Sequence, residues 1–159
     1  MKRILGLLLI IGVMMSCATT QTESKITYLN EGFSIDTLES ETTAQGHQIL
    51  MMFLPTDKGF APSVNIMTQD YSGSLEDYKK ISESQFQQLG IEVIISVIDE
   101  GKLNMEYMGV LQGQDIHGYA IAIKKDNYIY LTTGTTLRSQ WEKYKDQLIK
   151  VVLSFELTE

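Results

Sequence analysis

The chain has 159 residues, 43% of them hydrophobic and 21% charged, which is enough for one core of ordinary size. Its net charge is −7 and it carries no basic stripe, which argues against nucleic acid and against electrostatic docking on anionic lipid. With a single cysteine no intramolecular disulfide can form, so stability must come from packing.

Lys2 and Arg3 are followed by an apolar run from Ile4 to Met15. That run is shorter than the roughly 20 residues of a permanent membrane span, and it has the length of a signal-peptide core. Met14-Met15-Ser16-Cys17 then sets a small residue and the only cysteine directly after it. The arrangement resembles a bacterial lipoprotein signal. The resemblance implies a leader of residues 1–16, lipid attachment at Cys17 and a tether over 17–25. A plain secretory signal with a free thiol is the alternative. Ala18 and Thr19 supply no aspartate after the cysteine. In such lipoproteins this goes with the outer membrane, facing the periplasm, in a Gram-negative cell. Loss of the leader removes two positive charges and leaves the mature chain more acidic.

Residues 26–159 read as a single domain. Ile26 to Leu29 and Phe33 to Ile35 are short apolar runs around Asn30-Glu31-Gly32, suited to a small hairpin. Thr37 to Gly46 is polar and acidic, a loop. Ile49 to Leu54 is a continuous apolar run stopped by Pro55, which predicts a strand buried on both faces. Val64, Ile66 and Thr68 alternate with Asn65, Met67 and Gln69 as a strand does. Ser74 with Asp77 three residues later predicts a capped helix start. Leu75, Tyr78, Ile81, Ser82, Phe86 and Leu89 then make one helical face, closed at Gly90.

After Gly90 the apolar period changes to two. Ile91, Val93, Ile95 and Val97 are expected on one strand face, and Leu103, Met105, Tyr107 and Gly109 on the next. Matching those sets favours a three-residue loop, Asp99-Glu100-Gly101, over a two-residue one, since a one-residue slip reverses every side chain. A turn at Gln112–Asp115, a strand Ile116–Ile123, a turn at Lys125–Asn127 and a strand Tyr128–Thr132 complete a four-strand meander, which Thr133-Gly134-Thr135-Thr136 ends. Ser139 with Glu142 predicts a second cap, and Trp141, Tyr144, Leu148, Val151 and Val152 an apolar helix face.

The order of strands, helix, meander and helix makes an α+β domain. Together with Gly32-Phe33-Ser34-Ile35, Pro62-Ser63-Val64-Asn65-Ile66, Gly73-Ser74-Leu75-Glu76-Asp77-Tyr78 and the closing stretch Trp141 to Phe155, it resembles the PsbP-like superfamily. That group includes bacterial envelope lipoproteins of the DcrB and LpqN type. The resemblance implies an antiparallel β-sheet flanked by helices in an α/β/α sandwich. It implies no catalytic residue, because the matching positions are caps, turns and core.

Chemistry-bearing groups are sparse. Asp115 and His117 share a strand face and could be half a metal site or a base with its orienter, although a turn aspartate more often faces solvent. His47 and Met51 share a face that would suit a soft metal, against the commoner use of Met as core filler. Asp36, Glu39 and Glu41 could bind a divalent ion or form a solvated acidic loop. No nucleophile elbow, phosphate loop, zinc spacing or calcium loop is present. The expectation is no cofactor, no metal and no catalysis. Tyr107, Tyr119, Tyr128, Tyr130 and Trp141 cluster in the C-terminal half as a candidate binding surface, or as sheet–helix core. The function expected is that of a lipid-anchored cell-envelope protein that binds another envelope protein or stabilises an assembly. The alternative is a module for a small apolar or lipidic ligand.

Overall fold

The computed structural model describes residues 25–28, 33–36, 46–56 and 59–158. The chain divides into two compact units, residues 1–41 and 42–159. In the first, β1 (Lys25–Tyr28) and β2 (Phe33–Asp36) pair antiparallel, Ile26 opposite Ile35, as the expected hairpin.

The second unit is a six-stranded antiparallel sheet with one helix on each face. Its strands are β3 (Gly46–Phe53), β4 (Ser63–Asp70), β5 (Glu92–Asp99), β6 (Lys102–Leu111), β7 (Gln114–Lys125) and β8 (Tyr128–Leu137), in the order β3-β4-β8-β7-β6-β5. Helix α1 (Leu75–Gln88) links β4, near one edge, to β5 at the other. It must therefore cross the sheet, and the meander β5 to β8 then walks back until β8 pairs with β4. Helix α2 (Trp141–Leu153) closes the opposite face. This is the α+β architecture expected.

Both ends of α1 are set by local chemistry. Ser74 Oγ accepts from the Asp77 amide at 3.1 Å, and its hydroxyl donates to the Asp77 carboxylate at 2.8 Å. At the other end Gly90 takes φ +70°, Gly90 N–H donates to Gln87 C=O and Ile91 N–H to Phe86 C=O. That is a Schellman closure, and it delivers Ile91, 5% exposed, into the core. The inward stripe of α1 is Leu75, which is buried, with Tyr78, Ser82 and Phe86 half-buried; Ile81 and Leu89 face solvent.

Four expectations need correction. The β5–β6 loop has two residues, Glu100 and Gly101, with Asp99 opposite Lys102. Both loop residues have positive φ, 47° and 75°, the primed turn whose twist matches the flanking strands. Val97 therefore lies opposite Asn104 and Ile95 opposite Glu106, on the α2 side and half-exposed. A bulge between Val93 and Ile95 then restores Val93 to Tyr107. Strand β3 is an edge strand, not one buried on both faces: Ile49 to Phe53 are 40–61% exposed. The Thr133–Thr136 stretch continues β8 rather than ending it. There Gly134 admits α2, since a Cβ would lie 3.2 Å from Leu148 Cβ. Finally, Ser139 does not cap α2. A 3-10 turn over Arg138–Gln140 precedes the helix, Gln140 is its N-cap but its side chain does not cap it, and Glu142 pairs with Lys145 at 2.6 Å.

Candidate functional site

Sheet pleating divides the five singled-out aromatics between the two faces. On the α1 face, Tyr107 pairs with Gly118 across β6–β7, and its ring fills the space where a Gly118 Cβ would come within 2.5 Å of Tyr107 Cζ. It also meets Phe86, with ring centroids 4.7 Å apart. Burial pushes the Tyr107 hydroxyl well above the ordinary tyrosine pKa. Tyr119, Tyr128, Tyr130 and Trp141 are on the other side. Trp141 is buried where α2 begins, Tyr119 and Tyr130 are half-buried, and Tyr128 is exposed beside the Asp126–Asn127 turn.

The α2 face also carries the densest polar cluster. The His117 ring stacks on Trp141 with centroids 3.9 Å apart and planes 7° from parallel. Its Nε2 lies 2.8 Å from Glu106 Oε1. The Tyr119 hydroxyl donates to Asn104 Oδ1 at 3.0 Å, and burial, with Glu106 nearby, raises its pKa. The carboxylate beside His117 is thus Glu106, not Asp115, which sits exposed opposite Val110. Only the β6–β7 register brings Glu106 to His117, so no sequence spacing signals it. Among the described residues no three His, Cys, Asp or Glu side chains gather to hold a metal. Cys17, Glu39 and Glu41 lie outside the described residues, and only the backbone of Asp36 and His47 is described.

On the α1 face a cavity of about 250 Å3 separates the helix from the sheet. Its floor is Ala120 and Ala122 of β7, flanked by Leu103 and Met105 of β6 and Leu131 of β8. Thr133 stands beside Ala120 on the sheet, and Gln69, Tyr78, Ser82 and Gln85 add polar groups, among which the Tyr78 hydroxyl donates to Gln69 Oε1 at 2.7 Å.

A third feature is exposed apolar surface at the sheet edges. Ile94, Ile95 and Val97 stand 41–47% exposed along β5. That strand has no neighbour beyond it among the described residues, and it ends in the acids Glu92 and Asp99. No helix among the described residues is long and apolar enough to cross a membrane.

No family model matches the sequence, and no curated protein matches it. The fold has solved counterparts. One is the crystal structure of a Pseudomonas aeruginosa protein of unknown function, PA94, described as a putative regulator. It aligns with a TM-score of 0.58 at 11% identity, over 86% of this chain and 98% of that one. Another is the solution structure of cyanobacterial PsbP from Synechocystis, with a TM-score of 0.46 and 12% identity, over 92% and 100% of the two chains. At this identity the likeness to the Pseudomonas protein concerns the fold alone.

Proposed function

We propose that this chain is a lipid-anchored bacterial cell-envelope protein, attached through Cys17, whose sheet-and-helix unit binds another envelope protein without catalysing a reaction. The observation that carries the reading is the β5 edge. Three apolar side chains are exposed on a strand with a free flank among the described residues. Such an edge is normally shortened, charged or covered, because it templates pairing with another chain. The partner that suits it is an extended segment that adds a strand through its backbone, with apolar side chains opposite Ile95 and Val97. Glu92 and Asp99 at the ends of β5 favour basic residues flanking that segment.

The test is site-specific photo-crosslinking in intact cells. A photoreactive residue at Val97 should capture one discrete envelope protein, and Val97→Lys should abolish co-purification of that protein. A photoreactive residue at Asp126, on the β7–β8 turn and off the β5 edge, should capture nothing. Equal adducts at both positions, or none at Val97, would sink the reading. The anchor is checked separately with a radioactive fatty acid, which should label the parent and not Cys17→Ala.

A further inference from the structure

The cavity beneath α1 is a second feature, independent of the strand-edge reading. Protein interiors close up to crystal-like density, and voids larger than a water molecule are few. Here a cavity of about 250 Å3, partly open to solvent, lies between helix and sheet where small side chains form the floor. Ala120 and Ala122 form the floor and are themselves buried, 5% and 2% exposed. Leu103, Met105 and Leu131 stand around them, with Thr133 opposite Ala120, so the base is apolar apart from one hydroxyl.

Size and lining chemistry together define what could occupy it. A dry apolar cavity of about 150 Å3 takes benzene, whereas drug-sized ligands begin near 300 Å3. By that scale this cavity takes roughly ten non-hydrogen atoms. None of the lining residues is charged; the polar groups are the amides of Gln69 and Gln85 and the hydroxyls of Tyr78, Ser82, Tyr107 and Thr133. An ionised head would lose water there without gaining a counter-charge, a cost that buried unpaired ions do not recover. A neutral head can join the hydrogen bond already made from Tyr78 to Gln69, since hydroxyl and amide each both donate and accept.

We propose that this cavity binds a small uncharged amphiphile, one short alkyl chain or single ring lying on Ala120 and Ala122, with one hydroxyl or amide end at the Tyr78–Gln69 pair. The occupant enters from the rim and displaces no core side chain.

The experiment is a titration of the parent protein with 1-octanol, followed by methyl NMR. The expected result is saturable shifts confined to Leu103, Met105, Leu131, Ala120 and Ala122. Octanoate at pH 8 should bind at least tenfold more weakly than octanol. Ala120→Leu, which fills the floor, should weaken octanol at least tenfold, whereas Val97→Lys on the opposite face should leave it unchanged. Ala122→Val serves if Ala120→Leu does not fold. Absence of saturable shifts in the parent, or shifts scattered over the surface, overturns the proposal. Octanoate binding as tightly as octanol overturns the uncharged head, and tight octanol binding by both filling variants overturns the site.

Discussion

The two faces of the central sheet solve the same packing problem in opposite ways. On the α2 face the helix comes close: Gly134 leaves no Cβ between β8 and α2, and Leu148 and Val152 lie directly over it. Trp141 seals one end by stacking on His117. On the α1 face the strand side chains are small where the helix crosses, yet the helix stays off them. Phe86 and Tyr107 meet ring to ring and prop it away from Ala120 and Ala122, leaving the cavity between. Small residues therefore have no fixed meaning in a sheet. Under Leu148 a glycine produces contact, and under a propped helix two alanines produce a void.

The largest test of that contrast removes one aromatic from each face. Trp141→Ala should cost about 3–5 kcal/mol, because it empties a buried site and uncovers the His117–Glu106 pair. Phe86→Ala removes a half-buried ring that already borders empty space, so its cost should be well under that of Trp141→Ala. Urea midpoints at a common slope give both values, and equal losses would refute the asymmetry.

Next in size is a pH effect centred on a tyrosine of the cavity. Burial pushes the Tyr78 hydroxyl from its ordinary value near 10 up to about 12. The folded state thus favours the neutral phenol. Its contribution is complete below the unfolded pKa and is lost as pH rises from about 10 to 12. After allowance for partial exposure the loss is on the order of 2 kcal/mol. Tyr107 shifts in the same direction for the same cause. Stability followed by denaturation between pH 9 and 12, a range set by the ordinary tyrosine value of about 10, should fall less steeply in Tyr78→Phe than in the parent. Identical slopes would place Tyr78 in solvent.

One or two added carbons distinguish the faces at smaller scale. Gly134→Ala must push Leu148 and Val152 aside by a few tenths of an ångström, at a cost of about 1–2 kcal/mol. Ala122→Val places its extra carbons toward the cavity and should change stability by less than about 1 kcal/mol. Thermal unfolding of the two variants side by side reads the difference.

Much of the fold is legible in the chain, and the failures share a cause. The strand-to-helix change of period at Ser74, its reversal after Gly90 and the meander from β5 to β8 all rest on local spacing, which the chain states directly. Matching hydrophobic sets misplaces the β5–β6 loop because it assumes that every apolar residue of a strand seeks the same core. At an edge that assumption fails: Ile95 and Val97 sit half-exposed while the turn geometry of Glu100-Gly101 and a bulge at Ile94 settle the register. The same assumption puts Ile49–Leu54 in the middle of the sheet, where an unbroken apolar run belongs, although it forms an edge. The Glu106–His117 pair and the cavity are out of reach for a different reason. Both arise from residues on separate strands, or on a strand and a helix, whose meeting depends on register and on how far a helix is held from a sheet.

The smallest effect concerns how each helix begins, and it bears on why only one start can be read. Ser74 satisfies the Asp77 amide directly, so Ser74→Ala should cost about 1 kcal/mol. Ser139 presents the same spacing to Glu142, yet α2 starts one residue later, after a 3-10 turn. The reason is tertiary. Trp141 has to open the helix to lie flat on His117, and Gln140 before it accepts from the Thr136 hydroxyl at 3.0 Å instead of capping. Packing thus replaces the cap on α2, and Ser139→Ala should change stability by no more than about 0.5 kcal/mol. If Ser139→Ala costs as much as Ser74→Ala, the serine caps after all, and the placement of Trp141 is a consequence of the helix start rather than its cause.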